Sequence, residues 1–176
     1  MPLTDKLSAE DRQDIIDLYA RYAWALDLAD AQEMRACFSE DGSFDHLWLG
    51  RVQGHDAIIA SFEKMWYEQP AWWFGRQHLF NTFRFFVRGP DEVRVKCFNQ
   101  ILQFNTEYNN NFVFGLGTRD DLVVRRNGTW VYQAPYVNAW QCREDVPWKG
   151  EMRLAPPRPP RPEAPESLRD DYRAVD

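Results

Sequence analysis

Residues 19–30 read YARYAWALDLAD and residues 76–86 read RQHLFNTFRFF. The first run closes an amphipathic helix; the second opens an aromatic strand. Each carries one chemistry-bearing residue beside apolar side chains, Asp27 and His78. A carboxylate on a helix and an imidazole on a strand can form a buried proton-transfer pair if the fold brings them together. Periodicity predicts the helix over roughly residues 9–29, with Ser8 and Asp11 three positions apart as its capping signal. Ile15, Leu18, Tyr19, Tyr22 and Leu26 recur at helical spacing and define one apolar arc. At roughly 100° per residue, Asp27 falls on the flank of that arc beside Ala23 and Ile16. Asp14, Asp17 and Arg21 fall on the opposite side, toward water.

Working outward, a short helix is expected near DAQEMRACF (30–38). SEDGSFDHLWLG (39–50) reads as a turn and a strand, and RVQG (51–54) as a second turn. HDAIIASFEKMWYE (55–68) is an amphipathic helix with Ile58, Ile59, Phe62 and Trp66 as its apolar set, stopped by Pro70. Long strand-like runs follow from Arg76, punctuated by Gly89-Pro90-Asp91 and by the hairpin signal Asn127-Gly128. Helices first and an antiparallel meander after them make an α+β class, a curved sheet wrapped around N-terminal helices. Residues 1–142 form the expected domain. Residues 143–176 form a proline-rich extension, extended or disordered, since six of the eleven prolines lie in APPRPPRPEAP (155–165).

Composition narrows the function. Hydrophobic residues make up 44% and charged residues 27% of 176 residues, ordinary for a globular protein. Eight Trp, seven Tyr and twelve Phe are many for that length and supply either a ring-rich core or a pocket for a flat apolar ligand. The net charge of −6 argues against nucleic-acid binding. No apolar run has the length of a membrane span, and MPLTDKLSAED lacks a signal-peptide core, so a cytoplasmic location is expected. Three scattered cysteines do not make a disulfide framework and read as packing. The three histidines show no paired ligand spacing and there is no phosphate or dinucleotide loop, so neither metal nor cofactor is expected.

The order DIIDLYARYAWALDLADAQEMRACFSEDGSFD (14–45), GHDAI (54–58), RQHLFNTFRF (76–85) and RRNGTWVY (125–132) resembles the SnoaL-like branch of the nuclear-transport-factor-2-like superfamily. The likeness covers roughly residues 9–141. Its members include scytalone dehydratase, bile acid 7α-dehydratase, hexachlorocyclohexane dehydrochlorinase, polyketide cyclases and lyases that release formaldehyde from lignin-derived diarylpropanes. The resemblance implies a cone-shaped (cystatin-like) α+β barrel and, in the eliminating members, a His base held by an Asp at the end of the first helix. These positions are His78 and Asp27 here. Tyr22 sits where the bile acid dehydratase pattern has a Tyr, and Asn138, in APYVNAW, where relatives carry a pocket Arg or Asn. Similar proteins are dimers or trimers, so a homo-oligomer is expected, a trimer ahead of a dimer.

The chemistry follows from residue type. Histidine ionises near neutral pH and suits proton abstraction, while a carboxylate on its other nitrogen fixes the tautomer. Strand alternation places Phe80, Thr82 and Arg84 on the face of His78 and turns Asn81 and Phe83 away. Tyr22 can serve a departing hydroxyl or act as a core aromatic. Asn138, sharing a face with Tyr136 and Trp140, is a candidate for holding a substrate oxygen. Trp72 and Trp73, in MWYEQPAWWFG (65–75), read as a pocket lid or as a subunit interface. Phe44, His46, Phe80 and Trp140 complete the candidate pocket wall. The expected activity is a cofactor-independent lyase that dehydrates a bulky aromatic alcohol, such as a lignin-derived diarylpropane diol, with or without formaldehyde release. An isomerase or cyclase acting on a polycyclic aromatic or steroid, and a non-catalytic small subunit of a ring-hydroxylating dioxygenase, are the alternatives.

Overall fold

The computed structural model describes residues 7–46, 50–68, 74–105 and 109–147, apart from the side chains of His46 and Arg143. Helix α1 (Ala9–Leu28) starts where the Ser8 hydroxyl accepts the Asp11 backbone N–H, satisfying an otherwise orphan donor. It ends at Ala29, in a left-handed conformation. The predicted arc is the buried face: Ile15, Leu18, Tyr19, Tyr22 and Leu26 lie in the core. Helix α2 (Ala31–Ala36) is capped by Asp30. Helix α3 (His55–Glu68) buries Ile58, Ile59, Phe62, Met65 and Trp66. It is tied to the end of α1 by the Trp66 indole N–H, which donates to the Leu26 carbonyl at 2.9 Å.

A short antiparallel pair, β1 (Ser43–His46) and β2 (Gly50–Gln53), sits between these helices in the chain. Here the sequence reading needs correcting. RVQG was read as a turn, yet Arg51–Gln53 pair with Asp45–Ser43 as a strand. Strand β2 has an exposed, irregular burial pattern and so gives no alternation signal.

The main sheet is antiparallel with order β3-β4-β5-β6, and β7 pairs with β5. Its strands are β3 (Arg76–Gly89), β4 (Glu92–Asn105), β5 (Asn110–Arg126), β6 (Thr129–Ala134) and β7 (Val137–Ala139). Strand β5 is long enough to pair with β4 on one side and with β6 and β7 in succession on the other. The turn between β5 and β6 uses Asn127 and Gly128, both with positive φ as its tight geometry requires. Three helices ahead of an antiparallel sheet give the expected α+β class.

A bulge corrects the expected facing of β3. The register shifts between Asn81 and Arg84, and Thr82 takes a φ of 57°. An extra residue in one strand re-aims everything after it. Phe83 and Phe85 therefore pack against the core, with Phe83 5.0 Å from Tyr19 ring to ring, whereas Thr82 and Arg84 are exposed. Only His78 and Phe80 keep the face that alternation assigned them. Asp14 and Asp17 face water as expected, and the half-buried Arg21 pairs with Glu33 at 3.2 Å. The proline-rich extension beyond Pro147 lies outside the described residues.

Gly117 marks the closest approach of β5 and β7. A Cβ there would stand 2.4 Å from the Asn138 carbonyl oxygen. Gly117→Ala is expected to lower stability by about 1–3 kcal/mol through overpacking, read as a lower denaturant midpoint. An unchanged midpoint would mean that β7 does not lie against β5.

Cys37 and Cys97 are both buried, which pushes their thiols up to about 12. A raised thiol pKa leaves the unreactive protonated form at pH 8. A thiol reagent at that pH is expected to spare both cysteines in the native protein and to label them after denaturation, read by mass spectrometry.

Candidate active site

Asp27 stands in the last turn of α1, where the helix dipole disfavours a negative charge by about 0.3–1 kcal/mol, and that turn holds no basic residue. Local rules therefore argue against a carboxylate here. The compensation comes from β3. The His78 backbone N–H donates to Asp27 Oδ2 at 2.7 Å, and the His78 ring bonds Asp27 Oδ1 through Nδ1 at 2.5 Å. The His78 side chain is 8% exposed and that of Asp27 13%. A carboxylate only accepts, so the proton lies on Nδ1 and the basic nitrogen of the ring is Nε2. Trp66, by gripping the Leu26 carbonyl, locks the helix end that carries Asp27.

His78 opens onto a cavity of about 430 Å³ between the helices and the concave sheet face. That size lies in the range of small-molecule sites. Phe44, Phe62, Phe80, Phe114 and Trp140 contribute rings to its wall, and Leu26, Met65, Ile101 and Val137 contribute aliphatic surface. Leu116 and Gln141 are exposed and mark the mouth, while Tyr22, Phe62 and Arg119 are buried and mark the floor. Tyr22 is packed edge-on against Phe38, Phe62 and Tyr132. Burial pushes its phenol above the ordinary range despite the neighbouring Arg119, so the hydroxyl stays protonated and can donate.

The floor holds groups that the sequence reading passed over. Arg119 and Asp121 form an ion pair at 2.8 Å, with side chains 1% and 0% exposed. The same carboxylate accepts the Tyr19 hydroxyl at 2.5 Å and the Tyr136 backbone N–H at 3.0 Å. Burial works against the charge of Arg119, but Asp121 and the surrounding tyrosines outweigh it and hold the guanidinium charged. That guanidinium lies 4.6 Å from the Tyr22 ring centre. Higher on the wall, Arg76 donates to Gln103 at 2.8 Å and stacks 3.9 Å from the Phe114 ring centre. Burial lowers its pKa to about 10, with Asp27 opposing, so it too stays charged at neutral pH. Three buried polar atoms on cavity-lining residues have no hydrogen-bond partner among the described residues: Arg119 Nη2, Asn99 Oδ1 and Trp140 Nε1. Each such atom costs about 1–3 kcal/mol when left unmatched.

The other sequence candidates fall as follows. Phe44, Phe80 and Trp140 line the cavity. Asn138 does not. Its amide donates to the Asp145 carbonyl at 2.9 Å, because strand alternation gives the cavity to its neighbours Val137 and Ala139. The polar side chains that line the cavity in its place are Arg119 and Asn99, one and two strands further into the sheet. Strand alternation offered a signal for them, since Arg119 and Asp121 share a face with the core residue Val123. His46 lies in β1 opposite Gly50, but its side chain is outside what is described, and Trp72 and Trp73 lie outside the described residues. Among the described residues no group of three His, Cys, Asp or Glu is arranged to hold a metal ion, and no helix is long and apolar enough to cross a membrane.

The SnoaL-like domain family matches residues 7–134, which contain both Asp27 and His78. This chain belongs to the SnoaL-like family. Solved structures share the fold at low identity. A protein of unknown function with a cystatin-like fold from Nostoc punctiforme is 23% identical, covering 76% of this chain and 94% of its own, at a TM-score of 0.66. A Novosphingobium aromaticivorans protein provisionally named a scytalone dehydratase is 19% identical over 73% of this chain and 83% of its own, at 0.62. ActVI-ORFA from Streptomyces coelicolor is 19% identical over 74% and 98%, at 0.65. Among curated proteins, none matches. The SnoaL-like family covers dehydratases and cyclases, which makes an enzymatic role for this SnoaL-like chain plausible on family grounds.

Because Asp121 alone balances Arg119 in the core, Asp121→Ala would strand a buried guanidinium. Its expected cost is about 3–5 kcal/mol, read from denaturant unfolding. A loss below about 1 kcal/mol would mean that Arg119 is neither buried nor paired as described.

Proposed function

We propose that this SnoaL-like protein is a cofactor-independent lyase that eliminates water from a bulky aromatic alcohol, with His78 as the base. The observation that carries the reading is the 2.5 Å Asp27–His78 contact at the wall of a ring-lined cavity. In the reaction, His78 Nε2 takes a proton from the carbon next to the carbinol. The C–H electrons form the alkene, the carbon–oxygen bond breaks and the hydroxyl leaves as water on accepting a proton. Asp27 stabilises the imidazolium formed in the first step and keeps its orientation. Tyr22, whose hydroxyl stays protonated, is a donor for the departing oxygen. The apolar wall limits access of bulk water to the reacting atoms.

The substrate class we favour is a diarylpropane diol of the kind derived from lignin. Two aryl rings match the ring content of the wall, and a volume near 430 Å³ is adequate for them. In a diol with a terminal hydroxymethyl group, His78 would instead deprotonate that hydroxyl. The oxygen electrons then form formaldehyde as the carbon–carbon bond breaks, the released pair forms the alkene, and the second hydroxyl leaves as water. The same reading keeps a homo-oligomer, trimer ahead of dimer. Leu79, Phe98, Val113 and Leu116 are exposed on β3, β4 and β5, a surface a second copy could cover.

The test incubates the protein with aromatic diols and no added cofactor. Products lighter by one water, or by one water and one formaldehyde, are expected. His78→Ala should lower the rate by about 10²–10⁴-fold while circular dichroism stays unchanged. Wild-type rates in a folded His78→Ala variant would remove the assignment.

A further inference from the structure

The cavity holds a second polar site besides the dyad. Arg119 is 2% exposed and Asn99 is 5% exposed, both line the cavity, and each has a buried atom with no partner among the described residues. Strand register relates them. Cys97 pairs with Arg119 and Asn99 pairs with Gly117, so Asn99 and Arg119 are diagonal neighbours across β4 and β5. Diagonal neighbours stand roughly 7–8 Å apart at the backbone, close enough for one oxygen to lie between two polar side chains. Gly117, opposite Asn99, and Ala139 beyond it keep that part of the wall shallow. The same register makes Asn99, which pairs with Phe80, a diagonal neighbour of His78, which pairs with Ile101, so Asn99 stands between Arg119 and the dyad.

The two unmatched atoms are of opposite kind. Arg119 Nη2 donates and Asn99 Oδ1 accepts. A hydroxyl can accept from the first while donating to the second. An ether oxygen or a carboxylate can satisfy the arginine but leaves the asparagine oxygen unmatched. Charge separates the candidates further. The cavity wall holds two guanidinium groups, Arg119 and Arg76, against Asp27 and the Asp121 behind Arg119, with Asp45 at its edge. An anionic ligand oxygen would therefore add negative charge to a site with no positive charge to spare, whereas a neutral hydroxyl adds none. The rings of Tyr22 and Phe80 flank the Arg119 guanidinium at 4.6 and 5.1 Å and would seat an aryl group beside it.

We propose that Arg119 and Asn99 form a recognition site for a neutral phenolic hydroxyl on an aryl ring of the substrate. Arg119 is held rigid for this by Asp121, which is in turn fixed by Tyr19 and the Tyr136 backbone. Both residues determine specificity; neither takes part in bond breaking. This inference rests on the aromatic-substrate reading given above and names the group that reading left open.

The test measures binding, not turnover. Stilbenes already contain the alkene and have no hydroxyl to eliminate, so 4-hydroxystilbene, 4-methoxystilbene and stilbene-4-carboxylate report on the floor alone. Calorimetric titration of the full chain is expected to show the hydroxyl compound binding about tenfold tighter than either other, the equivalent of the one hydrogen bond to Asn99 Oδ1 that the others cannot donate. Asn99→Leu, close in volume and folded by circular dichroism, should narrow that preference to about twofold. Arg119 is left in place because removing it would strand Asp121 in the core. Equal affinities, tightest binding of the carboxylate, or an undiminished preference in Asn99→Leu would each overturn the inference while leaving the lyase reading intact. Failure of all three ligands to bind would overturn both the inference and the aromatic substrate class beneath it.

Discussion

One carboxylate at the end of α1 joins the helical layer to the sheet. Asp27 accepts from the His78 backbone through one oxygen and from the His78 ring through the other. The first contact sets where β3 begins relative to α1, and the second sets the rotamer and tautomer of the imidazole. Because one group does both, the position of the helix end is also the position of the candidate base. The Trp66–Leu26 hydrogen bond adds α3 to the same corner. A charge in the wrong turn of a helix costs free energy, and hydrogen bonds to an ionised acceptor, at about 1.5–3 kcal/mol each, are large enough to offset that cost.

The interior is unusual in carrying charge at a second place. Arg119 and Asp121 are buried together with Tyr19, and only a well-packed apolar pair of the same volume would be expected to match their stability. Retaining a buried ion pair at the floor of a cavity makes sense if its unmatched guanidinium nitrogen meets a ligand. The two polar sites then divide the work within one pocket. The dyad is basic and sits at the junction of helix and strand. The floor is a fork on the part of the sheet where β5 is paired on both sides. Rings line the wall around both, consistent with a ligand whose middle is aromatic or conjugated.

Much of this was legible in the residues. The capping signal at Ser8, the apolar arc of α1, the flank position of Asp27 and the Asn127-Gly128 turn all rest on local rules, and each local rule agreed with the fold. What stayed hidden depended on non-local geometry. The bulge at Thr82 has no glycine to announce it, yet it reverses the facing of Phe83 and Arg84. The β2 strand is short, exposed and paired only to β1, so RVQG resembled a turn. Asn138 was assigned from a resemblance of sequence position, and one-residue alternation in a three-residue strand turned it to the other side. The run TRDD (118–121) lies within the long strand-like stretches and was not singled out. Alternation puts its Arg and its last Asp on one face, and the pairing of β4 with β5 shows which neighbours that face meets.

Everything at this site follows from Asp27 holding the His78 ring with its proton on Nδ1. Nitrogen-15 NMR of histidine-labelled protein at neutral pH reads this directly. The expected result is a His78 ring with a protonated Nδ1, a far-downfield proton attached to it and an unprotonated Nε2, all lost in Asp27→Ala. A His78 ring protonated on Nε2, or one whose signals are the same with and without Asp27, would contradict it.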